Sequence, residues 1–307
     1  MNMELAYQIE SSIRRDVPPF AAQLGDDVVW PRYDGYAIAN LPATFAAILG
    51  TQMPAPALAP LPADLWRDLG RDVRRIVFVL IDALGYRRFR RALEADSKSG
   101  WRPLVERGRF FPLTSVFPST TVAALSSLWT GLAPSQHGYL GTRLFLREYG
   151  ALVDMISLKL VVNGVPGQLL TMGLDPDKFL PAPNLAEVLK AAGVAVNDLV
   201  MMPTSEARIA YAHLRAGRMQ AFRDELARDL AGKLMAVDTR EALDAGLWGP
   251  EPLHAETGSR LGDLLLLATG DGWLADSTGQ MPDFRGMHGG LTVEEMLVPS
   301  LWLRLDG

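Results

Sequence analysis

The stretch that most constrains the fold is an apolar run from Ile76 to Ile81, bounded by Arg75 and Asp82. The run reads Ile-Val-Phe-Val-Leu-Ile and lacks the alternation of apolar and polar residues that a half-buried strand shows. Continuous apolar runs of this length are typical of strands that are buried on both faces of a parallel sheet. We therefore predict an α/β protein whose mostly parallel central sheet is sandwiched by helices.

Asp82 stands directly after this predicted strand. In open α/β sheets, ligands bind at the carboxyl ends of the strands. A carboxylate at that place is a candidate metal ligand or base, and it is equally a candidate N-cap of the helix that follows. The residues alone leave both interpretations open.

A second stretch, residues 110–138, predicts a strand, a tight turn and a helix. Ser119, Thr120 and Thr121 place hydroxyl groups at the N-terminus of that helix, which Gly131 would end. Free backbone N–H groups and the helix dipole favour an anion there, so a hydroxyl could attack a phosphorus or acyl centre. The alternative is that these hydroxyls only cap the helix.

The composition excludes several classes of protein. The chain has 307 residues, a formal net charge of -5 and no run of basic residues, which argues against nucleic-acid binding. It contains no cysteine, so His, Asp, Glu and hydroxyl groups remain as the main metal ligands. We find neither a signal-peptide pattern at the N-terminus nor an apolar run long enough to span a membrane, and we expect a cytoplasmic protein.

Three motifs occur along the chain in a recognisable order. Val-Leu-Ile-Asp-Ala-Leu-Gly contains Asp82, and Val-Phe-Pro-Ser-Thr-Thr contains Thr121 and is followed by Thr-Gly-Leu-Ala-Pro-Ser-Gln-His-Gly. Gly-Met-His-Gly-Gly-Leu-Thr-Val-Glu-Glu-Met-Leu-Val-Pro contains His288. Together they resemble the nucleotide pyrophosphatase/phosphodiesterase branch of the alkaline phosphatase superfamily. The resemblance covers most of the chain from Val28 to Leu305.

The resemblance implies a phosphodiester or phosphomonoester hydrolase that acts on a small phosphorylated substrate. In that family two zinc ions activate a threonine or serine that attacks phosphorus. The resemblance makes Asp82 and Thr121 ligands of one zinc, Thr121 also the nucleophile, and His288 a ligand of the other zinc. Thr142 falls where family members often have an asparagine that holds a phosphoryl oxygen, which makes Thr142 a candidate substrate-binding residue.

The sequence departs from the family pattern between Thr121 and His288. The Asp-x-x-x-His and Asp-His-Gly motifs are absent, and the helix that starts near Asn184 is joined almost directly to the strand near Ala207. The chain thus resembles a family member that lacks a middle segment. The alternative interpretation is that the chain is a non-catalytic relative, which binds a phosphorylated ligand or a partner. Residues that could replace the missing ligands, each with an ordinary structural explanation, are Asp263, Asp271, Asp276, Asp283, His137, His213 and His254.

We predict three parts of the chain. Residues 1–70 form an N-terminal extension, residues 71–203 and 261–307 an alkaline phosphatase-like core, and residues 204–260 a small α/β unit inserted towards the C-terminal half. Loss of the middle segment would leave a sheet edge uncovered, and pairing of two copies into a homodimer is one way of covering it.

Overall fold

A computed structural model describes residues 3–15, 17–175, 179, 181–192, 208–212, 214, 219–229, 231–270 and 288–304. The helices are α1 (Glu4–Ile13), α2 (Leu41–Ile48), α3 (Tyr86–Ala95), α4 (Arg102–Arg107), α5 (Thr121–Thr130), α6 (Pro134–His137), α7 (Gln168–Thr171), α8 (Leu185–Ala191), α9 (Met219–Asp229), α10 (Thr239–Asp244), α11 (Thr257–Leu261) and α12 (Val293–Met296). The strands are β1 (Arg109–Thr114), β2 (Arg143–Leu146), β3 (Ala151–Asp154), β4 (Lys159–Leu160), β5 (Ile209–Ala212), β6 (Leu234–Asp238), β7 (Leu264–Ala268) and β8 (Leu297–Trp302).

The described strands form three small sheets. β1 pairs with β8, with Phe110 opposite Leu301, and the hairpin β2–β3 continues into β4. In the third sheet β7 lies between β5 and β6. All residues of β7 are buried, which is expected for a central strand covered on both faces.

The predicted mostly parallel central sheet is wrong. In the described part of the chain every sheet is antiparallel, and none has more than three strands. Residues 76–81, from which the parallel sheet was predicted, form no strand, and Val77 and Val79 are 79% and 71% exposed. A continuous apolar run is buried only where neighbouring strands cover it, and none of the described strands pairs with this one.

The helix predicted after the Ser-Thr-Thr turn is confirmed. It is α5, and it ends at Gly131, whose φ of 70° is the left-handed conformation that favours glycine. The helix near Asn184 is also confirmed, because Asn184 and Glu187 cap it reciprocally at 3.0 and 3.1 Å. Both signals are local, so they do not depend on which strands pair.

Charged and aromatic contacts attach α3 to its neighbours. Arg90 and Arg87 of α3 both pair with Glu10 of α1, and Arg87 also lies 3.6 Å from Glu294 of α12. Tyr86 is fully buried, and its ring stacks on Phe110 of β1 at 5.6 Å. The segment that follows Asp82 is therefore packed against β1, α1 and α12.

None of the helices within the described ranges is long and apolar enough to cross a membrane. The division into an extension, a core and an inserted unit stays a prediction.

Candidate functional site

The first turn of α5 offers free backbone donors. Thr120 has an extended backbone, with φ −114° and ψ 155°, and Thr121 is the first helical residue. The first bond of the helix runs from the N–H group of Ala124 to the carbonyl of Thr120, at 2.8 Å. The N–H groups of residues 121–123 have no backbone partner among the residues that the structure describes. These donors and the helix dipole make the N-terminus of α5 favourable for an anion.

The hydroxyl group of Thr120 is buried beside these donors. Thr120 is 1% exposed, and its Oγ1 has no hydrogen-bond partner among the residues with a described position. It does not cap α5, because no side-chain cap bond is formed there. A buried hydroxyl without a partner costs free energy. The capping alternative therefore does not explain the Thr120 hydroxyl.

Ser119 connects this turn to the late histidine motif. Its hydroxyl accepts a hydrogen bond from the N–H group of Gly289 at 3.1 Å and donates one to the carbonyl of Gly290 at 3.3 Å. His288, the preceding residue, is half-buried, and its Nδ1 atom is buried without a hydrogen-bond partner in the part of the chain that the structure describes. Folding thus joins two of the predicted motifs that lie 170 positions apart in the sequence.

Glu295 holds the backbone turn that follows His288. Its Oε1 accepts hydrogen bonds from the N–H group of Gly290 at 3.0 Å and from Nε of Arg208 at 3.1 Å. Its Oε2 accepts from the N–H and hydroxyl groups of Thr292, at 3.2 and 2.6 Å. The Arg208 and Glu295 side chains are both 7% exposed. Our sequence reasoning missed this residue, although Thr292-x-x-Glu295 is a capping-box pattern.

Asp82 lies in an exposed turn before α3. Its Oδ1 accepts a hydrogen bond from the N–H group of Ala83 at 2.9 Å. The N-cap of α3 is Gly85, so Asp82 does not cap that helix. Gly85 packs closely on α12, since a Cβ atom there would lie 3.1 Å from the carbonyl of Glu294. The motif that contains Asp82 is therefore packed against the helix that follows the His288 turn.

Thr142 is buried at the start of β2, where its carbonyl accepts a hydrogen bond from the N–H group of Met155 at 2.7 Å. Its predicted contact with a phosphoryl oxygen stays a prediction.

His137, a candidate replacement ligand, holds the buried side of α5. It is fully buried, and its Nδ1 accepts a hydrogen bond from the N–H group of Tyr139 at 3.1 Å. The proton is therefore assigned to Nε2, which lies 3.0 Å from the hydroxyl of Ser127 on α5. Burial lowers the pKa of His137 to about 3, so the imidazole is neutral.

The other residues that could replace the missing metal ligands either have structural hydrogen-bond partners or lie outside the described residues. Nδ1 of His254 accepts a hydrogen bond from the N–H group of Glu256 at 3.1 Å, and burial lowers the pKa of His254. Oδ2 of Asp263 accepts one from the N–H group of Leu214 at 2.6 Å. The remaining candidates fall outside the described residues, and they are His213, Asp271, Asp276 and Asp283.

Comparison with known proteins decides the family. The family model for type I phosphodiesterase / nucleotide pyrophosphatase matches residues 76–233, just over half of the chain. The chain belongs to this family. It is accordingly a relative of phosphodiesterases and nucleotide pyrophosphatases within the alkaline phosphatase superfamily, which confirms the predicted resemblance. A comparison with curated proteins finds no match.

This family is typically zinc-dependent. A zinc site takes three or four protein ligands. The described residues contain no group of three or more His, Asp or Glu side chains that could hold a metal. The unpartnered Nδ1 of His288 suits one ligand, but one imidazole and the exposed carboxylate of Asp82 do not make a two-zinc centre. The described residues therefore do not fit a two-zinc centre.

Proposed function

We propose that this member of the type I phosphodiesterase / nucleotide pyrophosphatase family hydrolyses a phosphate ester, with Thr121 as the nucleophile. The proposal rests on the N–H groups of residues 121–123, which have no backbone partner among the described residues, and on the neighbouring Thr120 hydroxyl, which has no hydrogen-bond partner there either. A phosphoryl group carries its negative charge on oxygens that such donors stabilise.

The proposed reaction has two steps. The Oγ1 atom of Thr121 forms a bond to phosphorus while the bond to the leaving alcohol breaks, and the alcohol departs with a proton. Water then cleaves the threonine–phosphoryl ester and restores the hydroxyl group. The N–H groups of residues 121–123 hold the non-bridging oxygens, on which charge is spread in the transition state.

The other predicted site residues have supporting roles in the proposal. His288 is a candidate metal or phosphoryl contact, supported by its unpartnered Nδ1 and by the Ser119 link to the α5 turn. Asp82 is a candidate metal ligand and Thr142 a candidate phosphoryl contact, as the family resemblance implies. We also propose the cytoplasmic location and the three-part domain division predicted above.

Hydrolysis of bis(4-nitrophenyl) phosphate with added zinc or manganese tests the proposal. Thr121→Ala removes the nucleophile, and Thr121→Ser, the matched control, keeps a hydroxyl group. We expect Thr121→Ala to lose on the order of 10³-fold or more in rate, and Thr121→Ser to keep measurable activity. Equal rates for the wild type and Thr121→Ala would rule out Thr121 as the nucleophile.

A second candidate function is binding of a phosphorylated ligand without turnover. The absence, within the described ranges, of a group of three metal-ligating side chains favours it. In this case calorimetry would detect binding of inorganic phosphate, while the wild type would hydrolyse the diester no faster than Thr121→Ala. Elemental analysis that finds about two zinc ions per purified chain would contradict this second candidate.

A further inference from the structure

The Ser119 hydroxyl bonds in both directions to the backbone that follows His288. It accepts a hydrogen bond from the N–H group of Gly289 at 3.1 Å and donates one to the carbonyl of Gly290 at 3.3 Å. A serine hydroxyl has a single proton to donate, and the second of these bonds uses it. The hydroxyl is thus engaged in joining two segments that are far apart in the sequence.

The backbone around Ser119 is also held on the side of α5. The N–H group of Thr120 donates a hydrogen bond to the carbonyl of Pro118 at 2.8 Å, which closes a three-residue turn with Ser119 at its centre. Thr121, the first residue of α5, is two residues further on, so its Cα atom lies within about 7 Å of that of Ser119. The position of Ser119 is therefore set relative to the start of α5.

The hydrogen bond from Gly289 acts on the peptide group directly after His288. The N–H group of Gly289 shares a peptide plane with the carbonyl of His288, so Ser119 restrains the backbone at the histidine itself. The next N–H group, that of Gly290, donates to Oε1 of Glu295 at 3.0 Å. Of these two bonds, the one to Ser119 is closer in the sequence to His288.

We propose that Ser119 is a positioning residue, which holds His288 against the phosphoryl group bound at the start of α5. The inference rests on the proposed function, in which the N–H groups of residues 121–123 bind that group and His288 contacts it. A misplacement of about 1 Å at a reacting centre costs on the order of 10²-fold in rate, so a single hydrogen bond beside the histidine has a measurable effect. Ser119 itself neither attacks phosphorus nor transfers a proton.

Amide hydrogen exchange, followed by NMR, tests the contact. Ser119→Ala removes the acceptor of the Gly289 N–H group, whereas the Gly290 N–H group keeps its bond to Glu295. We expect exchange of the Gly289 amide to become about tenfold faster in Ser119→Ala, and that of Gly290 to stay within about twofold of the wild type. Unchanged exchange at Gly289, or an equal increase at both glycines, would overturn the proposal.

A double-mutant cycle on phosphate binding tests whether Ser119 acts through His288. Calorimetry with inorganic phosphate should give about a tenfold higher Kd for Ser119→Ala and for His288→Ala. The double variant should show no further increase, because both substitutions remove the same contact. Additive effects of the two substitutions, or a wild type that binds no phosphate, would overturn the proposal.

Ser135→Ala is the matched control for this cycle. The hydroxyl of Ser135 also donates to a carbonyl distant in the sequence, that of Pro250 at 3.2 Å, and Ser135 is fully buried. Its loss should leave the Kd for phosphate within about twofold of the wild type, because the bond lies outside the proposed site. An effect of Ser135→Ala as large as that of Ser119→Ala would overturn the proposal.

The NMR signals of the His288 ring give a readout that a purely structural role would not change. The chain has four histidines, and His288→Ala assigns the signal in a histidine-labelled sample. Phosphate should shift this signal in the wild type and in Ser135→Ala, and should leave it unshifted in Ser119→Ala, since the ring then no longer faces the bound ion. An equal shift in Ser119→Ala at saturating phosphate would overturn the proposal.

Hydrolysis of bis(4-nitrophenyl) phosphate separates this inference from the proposed function. Ser119→Ala should lower kcat/KM about tenfold or more, and should lower it no further when His288→Ala is already present. Equal rates for the wild type and Thr121→Ala would rule out the proposed hydrolysis, and a non-additive phosphate cycle would then support the role of Ser119 alone. Hydrolysis that depends on Thr121, together with an additive cycle, would rule out the positioning role and leave the nucleophile in place.

Discussion

Replacing Glu295 by glutamine tests how the turn after His288 is held. The carboxylate of Glu295 accepts hydrogen bonds from the backbone of Gly290 and from Arg208, both at about 3 Å. Glu295→Gln keeps the size of the side chain but removes its charge, and one of its two acceptor oxygens becomes a donor. The guanidinium of Arg208 then lies in a buried place beside a neutral group.

The magnitude follows from the burial of both partners. Each side chain of the pair is 7% exposed, and loss of one partner from a buried ion pair costs about 3–5 kcal/mol. The lower end applies here, because glutamine keeps one acceptor oxygen that Arg208 can still use. With roughly 2 °C per kcal/mol for a chain of this length, we expect the Tm to fall by about 6 °C.

Differential scanning calorimetry measures the effect, with Glu294→Gln as the matched control one residue away. Glu294 is 54% exposed and lies 3.6 Å from Arg87, so its loss should change the free energy of unfolding by less than about 1 kcal/mol. Equal Tm values for the two variants would refute the role of Glu295. Glu295→Gln should also weaken phosphate binding, because the Gly289 and Gly290 backbone contacts Ser119.

Three further predictions concern substitutions of single residues. Burial lowers the pKa of His137 from 6.5 to about 3, so the unfolded chain takes up this proton first as the pH falls. Its contribution to the free energy of unfolding is complete above pH 6.5 and is lost towards pH 3 by about 1.4 kcal/mol per pH unit, so urea titrations of His137→Gln should show a weaker pH dependence below pH 6.5. Gly249→Ala should destabilise the chain by about 2 kcal/mol or more in chemical denaturation, because φ is 111° and the new Cβ would lie 2.0 Å from that of Ala133. The control Gly258→Ala meets no atom within 4 Å and should stabilise α11 by up to about 1 kcal/mol. Thr120→Val should raise the free energy of unfolding by about 1 kcal/mol, since it removes an unpartnered buried hydroxyl, and should weaken phosphate binding in calorimetry.

The helices could be predicted from sequence where their end signals are local. Thr120 and Gly131 bound α5, and Asn184 with Glu187 starts α8, whatever the rest of the chain does. The prediction of a buried strand at Ile76–Ile81 was wrong for the opposite reason. A buried strand needs neighbouring strands, and its own sequence does not specify them. The direction in which the strands pair could likewise not be predicted from the sequence, and the predicted parallel arrangement was wrong.

The site could be predicted only in part, because its contacts are long-range. The hydroxyl groups at the start of α5 followed from the Ser-Thr-Thr pattern, but the bond from Gly289 to Ser119 has no local signal. The family resemblance alone linked the two motifs. The capping box of Glu295 could be predicted from the local sequence pattern. Its ion pair with Arg208 could not, because the two residues lie 87 positions apart in the sequence.

Mass spectrometry of the chain quenched during turnover of bis(4-nitrophenyl) phosphate tests most directly whether Thr121 attacks phosphorus. We predict a nitrophenyl-phosphoryl group on Thr121 in the wild type and none on that peptide in Thr121→Ala. Hydrolysis without such an adduct, an adduct on Ser119 or Thr120 instead, or no hydrolysis at all would contradict the proposed role of Thr121.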